Sequence, residues 1–142
     1  MLYTPLTMRA MRICYEAHHG QCDKSNVPYV FHPYHLAEQM DTEEAVCTAL
    51  LHDVLEDTEL TSADLIRLGM PRAVIEALEA LCHNGNVPYL SYVRDLKQNP
   101  LARAVKIADI KHNSDLTRLV RITEADRRRA EKYAKALEIL EA

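Results

Sequence analysis

The segment ALLHDVLEDTEL, residues 49–60, sets His52 beside Asp53 and places Glu56 and Asp57 one helical turn on. If the segment is one continuous helix with His52 at zero, Glu56 falls near 40°, Asp53 near 100° and Asp57 near 140°, at about 100° per residue. Leu50, Leu51, Val54 and Leu55 then fill the opposite arc, so the ionisable groups share one face with no Lys or Arg among them. Acids at this spacing repel one another by a few tenths of a kcal/mol per pair. Upstream, AVCTALL is small or apolar nearly all round, which marks the helix as central and its far end as close to the core. Carboxylates held there need a counter-charge. A divalent metal supplies one, and adjacent His and Asp are a suitable mixed nitrogen and oxygen ligand pair. The plain alternative is an amphipathic helix with a solvated polar edge.

Two neighbours on one helix do not complete a coordination sphere. His32, in YVFHPY, stands at a loop-to-helix junction from which its side chain can point across to another helix. Asp109, in VKIADIKHN, is an acid within an apolar stretch, and an unpaired buried charge is costly. It is expected to be metal-bound or paired, with a salt bridge to Lys106 or Lys111 on its own helix as the alternative. Asn113 shares the Asp109 face at i+4. His18, His19, His35 and His83 carry no ligand pattern and read as surface or core histidines. Arg127, Arg128 and Arg129 read as a solvated helix face.

Helices must position these groups, because start signals recur along the chain and strand alternation is nearly absent. LTMRAMRICYEAHH is amphipathic and stops at Gly20. A polar loop, GQCDKSNVPYVF, precedes HPYHLAEQM, where Pro33 suits a first helical position. DTEEAVCTALLHDVLED opens with a capping-box pattern, Asp41 with Glu44, and TSADLIRLG repeats the device with Thr61 and Asp64 before Gly69. Segments beginning at Pro71, Pro88 and Pro100 follow, and a last helix runs from about Thr123, capped with Asp126. The expectation is an all-α, compact multi-helix fold of seven or eight helices with a central metal site. NVPY occurs at 26–29 and at 86–89, which reflects similar loop chemistry, not a repeat period.

The chain's 142 residues make one domain the simplest organisation and suffice for a substantial core. A net charge of -4 gives no general attraction to nucleic acid or an anionic membrane, so an anionic substrate has to be met by a local cation or metal. The four cysteines form no CxxC pair and read as free thiols of a reducing compartment. With no signal-peptide pattern and no long apolar run, the expected location is cytoplasmic, without membrane or nucleic-acid partners.

A His, a distant His-Asp doublet and a distant Asp, all on helices, resemble the HD-domain metal-dependent phosphohydrolases. More closely, HHGQ…VPYVFHP, ALLHDVLEDT and NPLARAVKIADIKHN, in that order over about residues 9–120, resemble the hydrolase domain of the RelA/SpoT homologue family in its stand-alone small alarmone hydrolase form. The resemblance implies His32, His52, Asp53 and Asp109 as ligands of a divalent ion, typically Mn2+. It implies Glu56 and Asp57 as the pair that orients and activates the attacking water, and Lys24 and Asn113 as substrate contacts. The reaction so implied is hydrolysis of guanosine 3',5'-bis(diphosphate) (ppGpp) or its pentaphosphate to GDP or GTP and pyrophosphate. The family's synthetase domain has no room in this length.

One position departs from the family. GQCDK carries Asp23 where the family usually has an arginine that helps to hold the guanine nucleotide. The loop therefore bears on the choice of substrate, and two further readings follow. One is an HD hydrolase for another phosphorylated nucleotide (an adenine alarmone, the 2'-phosphate of NADPH, or a nucleoside phosphate). The other is a non-catalytic nucleotide sensor, against which an intact Glu56 and Asp57 pair speaks. Neither oligomeric state nor the role of residues 123–141 follows from these motifs; that helix packs on the core or forms a dimer contact.

Overall fold

Every residue from Ala45 to Leu51 is buried in the computed structural model, which describes residues 1–142. A helix buried all round needs partners on all sides. α3 (Glu43–Leu51) packs against α1 (Pro5–His18), α2 (Phe31–Glu38), α6 (Arg72–Leu81) and α8 (Pro100–Asn113). The remaining elements are α4 (Val54–Asp57), α5 (Ser62–Arg67), α7 (Tyr89–Leu96), a 3-10 turn at Leu116–Arg118 and α9 (Glu124–Glu141). The fold is all-α, with one isolated antiparallel bridge, Cys22 to Pro28, inside the loop after α1. No helix is long and apolar enough to cross a membrane, and all four cysteines are free.

Twenty-seven buried hydrophobic residues form one cluster, including Leu36, Leu50, Leu78 and Ile110. Full burial of each Leu or Ile contributes about 1.5–3 kcal/mol before chain entropy is offset. Ala136 and Leu140 of α9 belong to that cluster, and α9 lies against α7 and α8. The last helix therefore packs on the core.

Local signals formed most of the expected caps. Thr61 with Asp64 and Thr123 with Asp126 make reciprocal capping boxes, Pro100 opens α8, and Gly69 ends α5 at φ +94°. Three expectations are corrected. Thr42, not Asp41, caps α3, by accepting from Ala45 N. Pro33 lies inside α2, which starts at Phe31. The third correction matters most, because residues 43–57 are not one helix: α3 ends at Leu51 and α4 begins at Val54, with Asp53 at φ -122°, ψ 11° between them. His52 Nδ1 sits 2.9 Å from the Ala49 carbonyl, the acceptor that the Asp53 N–H would use in a continuous helix. The imidazole competes for that acceptor and the helix breaks there. This raises the count to nine α-helices, and the single helical wheel drawn through Asp57 does not hold.

Candidate metal centre and cleft

The break at 52–53 turns the His52 ring towards α2 and α8. His32 from α2, His52 from the end of α3 and Asp109 from α8 are all buried, and their ligand atoms lie within 4.8 Å of one another. His32 Nε2 is 2.9 Å from Asp109 Oδ1, and His52 Nε2 is 3.6 Å from the same oxygen. Asp53 adjoins this trio, with Oδ2 at 3.8 Å from His52 Nε2, but its closest partners are others. The Tyr29 hydroxyl donates to Oδ2, and His18 Nε2 stands 3.2 Å from Oδ1.

The charges in this cluster are not balanced by the surface. Burial disfavours the ionised form of Asp109, yet Lys106, His32 and His52 hold its pKa well below the ordinary range. Asp53 is likewise held low against its burial, by His52, His18 and Tyr29. His52 moves the other way. Burial lowers its pKa, but Asp53 and Asp109 outweigh that and lift it to about 9. A proton on His52 thus supplies positive charge that two buried carboxylates require. The donor set fits a divalent cation on two counts: two imidazoles with carboxylate oxygens, and a buried His52 Nδ1 held by a carbonyl so that Nε2 faces inward.

The alternative role for Asp109 is present as well. Lys106 Nζ lies 3.0 Å from Asp109 Oδ2, and Asn113 Nδ2 donates to Oδ1 at 3.0 Å. The lysine supports the carboxylate oxygen that the histidines leave free; Lys111 points away, to Glu141.

A cavity of about 310 Å³ opens beside this cluster, with Glu56, Asp57, Lys106 and Lys132 in its wall. Glu56 Oε1 accepts from the His83 backbone N–H at 2.6 Å. Asp57 has its pKa pushed up to about 6, by partial desolvation at the cavity wall and then by the negative charges of Asp53 and Glu56. A carboxyl near 6 exchanges protons near neutral pH, as a general base must. A larger hollow of about 730 Å³, near Gln21, Thr58 and Arg67, is shallow and holds no comparable cluster.

A second lobe of about 390 Å³ shares Tyr29, Asn113 and Tyr133 with the first, so the two form one cleft. Its wall joins the GQCDK loop to the 3-10 turn and α9. Lys24 Nζ pairs with Asp126 Oδ1 at 2.9 Å, and Arg129 reaches the same oxygen at 3.0 Å. Arg129 is therefore a cleft residue, against the expectation of a wholly solvated arginine face. Asp23 has work of its own. Oδ1 accepts from Ser25 N at 2.8 Å and Val27 N at 3.0 Å, which holds a tight turn with Asn26 at φ 62°. Oδ2 lies 3.8 Å from Arg118 Nη2. Arg118 Nη1 also donates to the His112 carbonyl at 2.9 Å, so a cation faces Asp23 across the cleft.

The structure thus brings His52, Asp53, Asp109, Glu56, Asp57 and Asn113 around the first lobe, with His32 behind it in the buried cluster, and Lys24 and Asn113 around the second. Sequence reasoning missed His18, Tyr29, Arg118 and His112. His18 had one signal, its place in HHGQ at the end of α1, where only the tertiary fold turns it inward.

No protein-family model matches the chain. A chloroplastic RSH1 protein of Oryza sativa subsp. japonica, named as a GTP diphosphokinase, is 31% identical over 126 residues, 73% of this chain and 14% of that protein. SpoT of Escherichia coli strain K12, a bifunctional (p)ppGpp synthase/hydrolase, is 38% identical over 77 residues, 51% of this chain and 11% of SpoT. A solved structure of a metazoan ortholog of SpoT that hydrolyzes ppGpp superposes with a TM-score of 0.78 over 99% of this chain and 88% of that one, at 22% identity. The chain is RelA/SpoT hydrolase-domain-like. It spans about one-seventh or less of the length of those two curated relatives. The RelA/SpoT-like fold covers α9 as well, the part beyond the motif-bearing residues 9–120.

Proposed function

We propose that the chain is a metal-dependent phosphohydrolase, one HD hydrolase domain over residues 1–142, that removes the 3'-diphosphate from ppGpp or pppGpp. The observation that carries this reading is the meeting of His32, His52 and Asp109 in one buried cluster that opens onto Glu56 and Asp57. His32, His52 and Asp109, with Asp53 adjoining, would hold the ion, Mn2+ in this reading. Bound there, such an ion polarises a phosphoryl oxygen and lowers the pKa of water.

The chain's own residues do the rest. Asp57 or Glu56 takes a proton from the attacking water as its oxygen bonds to phosphorus; the bond from phosphorus to the ribose 3'-oxygen breaks, and the same proton is returned to that oxygen, leaving a 3'-hydroxyl and pyrophosphate. Lys106 and Lys132, in the same wall, offset the negative charge of the departing diphosphate. Lys24, Arg118 and Asn113 line the second lobe, where the nucleoside end fits. Asp23 favours one second reading, hydrolysis of a different phosphorylated nucleotide, because an acid replaces a cation in the loop that faces that lobe.

A panel of nucleotides given to the Mn2+-loaded protein, with pyrophosphate and phosphate followed separately, decides between them. Pyrophosphate release from ppGpp that vanishes in Asp53→Ala is the expected result. Phosphate release from another nucleotide with ppGpp untouched overturns it in favour of the second reading. Stoichiometric metal without turnover of any nucleotide would make the protein a sensor.

A further inference from the structure

The two histidines of the cluster are held at Nδ1 by different kinds of partner. For His52 the partner is the Ala49 carbonyl, at 2.9 Å. A carbonyl only accepts, so His52 carries a proton on Nδ1 and turns Nε2 to the cluster. For His32 the partner is another histidine: His32 Nδ1 and His112 Nδ1 are 2.7 Å apart, with the ring planes within 4° of parallel and the centroids 5.0 Å apart, the separation of two rings bonded edge to edge in one plane. His35 packs on a face of His112, with centroids 4.1 Å apart. Two nitrogens at 2.7 Å share one proton, and which ring carries it is decided at the other end of His32.

That end is Nε2, 2.9 Å from Asp109 Oδ1. Without a cation, a bare Nε2 lone pair would face a carboxylate, so Nε2 is protonated and donates to Asp109. Nδ1 is then the acceptor, and His112 Nδ1–H is the donor. A cation on Nε2 needs the opposite arrangement.

Resting on the reading of His32 as a metal ligand, we infer that His112 is a positioning residue that holds His32 in its Nδ1–H tautomer, so that cation loading reverses the direction of the His32–His112 hydrogen bond. The protons balance. His32 gives up its Nε2 proton, the His112 Nδ1 proton passes along the 2.7 Å bond to His32 Nδ1, and His112 takes one proton from solvent on Nε2. Each ring is neutral before and after. The role belongs to a partner behind a ligand, where substitutions cost about 10- to 100-fold in metal affinity.

Two measurements test it. The first is long-range 15N–1H NMR of the imidazoles, with and without Zn2+ as a diamagnetic probe. The expected spectra move the His32 proton from Nε2 to Nδ1 and the His112 proton from Nδ1 to Nε2 when Zn2+ is added. The second is calorimetric titration of Mn2+ into the wild type, His112→Asn and His112→Leu, with thermal melting of each. His112→Leu, which cannot accept, is expected to weaken binding about 10- to 100-fold. His112→Asn, whose amide oxygen can accept the same bond, is expected to restore it. Bound Zn2+ with His32 Nδ1 still bare, or a His112→Leu variant that binds as tightly as the wild type, overturns the inference and leaves the metal centre standing. A wild type that takes up neither ion overturns both.

Discussion

The two lobes of the cleft are built on different principles. The first is walled by the ends of buried helices, and its polar groups are paired or boxed in by helix contacts: His52 to Ala49, His32 to His112, Asp109 to Lys106. The second is walled by a loop, a 3-10 turn and the outer face of α9, and its charges are paired across the gap, exposed Lys24 to buried Asp126 and half-buried Arg118 to half-buried Asp23. Rigid chemistry sits on packed elements, and selection of ligand sits on connections. Substitutions in the first lobe should therefore act on turnover and stability, and those in the second on substrate preference.

The strongest break in that comparison comes from the acids of the first lobe. Asp57→Asn or Glu56→Gln should reduce kcat by about 100- to 10,000-fold, the range for losing a general base, with the thermal melt retained. A change in KM with kcat intact would place that acid in binding instead. Next comes the helix that carries the ligands. Leu50→Ala, in a side chain 1% exposed, should cost about 2–5 kcal/mol in denaturant unfolding. A cost below about 1 kcal/mol, the range of volume-conserving swaps, would mean that α3 is not the packed centre of the fold.

The second lobe should respond more mildly. Thr123→Ala removes the side-chain oxygen that caps α9 at Asp126 N, a loss of about 1 kcal/mol. Hydrogen exchange should rise in the first turn of α9 and stay low at Ala136 and Leu140. Equal exchange along the whole helix would show that α9 detaches as one unit.

The smallest effect concerns pH. Asp57 rises in the fold from 3.8 to about 6. Between those values native Asp57 holds a proton that the unfolded chain has released, so the contribution of Asp57 to the stability of the metal-free protein falls as pH rises from about 4 to about 6. Asp57→Asn lacks this contribution. The melting temperature of the wild type relative to Asp57→Asn should therefore drop across that window, and a flat difference would remove the perturbed carboxyl from the account.

Much of this was legible in one dimension because the signals are local. A Thr with an acid three residues on, a Pro at a helix start and a Gly after its end act within one turn, and the boxes at Thr61 and Thr123 formed where their residues stand. An apolar stretch with one acid in it told that Asp109 would be buried with a partner. It did not tell that the cluster and Lys106 would both reach it, since a carboxylate has two oxygens and each is used. Nor did local reasoning foresee the break at 52–53, because helical periodicity carries no term for a side chain that takes a backbone acceptor.

Residue types and their order thus determined the helical class, the candidate ligands and the acids that adjoin them. Tertiary structure alone decided which groups orient them. Lys24 meets Asp126 across 102 positions, His32 meets His112 across 80 and Tyr29 meets Asp53 across 24. Such contacts leave no periodic trace in a chain, because they arise where packed helices converge and not from the spacing along any one of them.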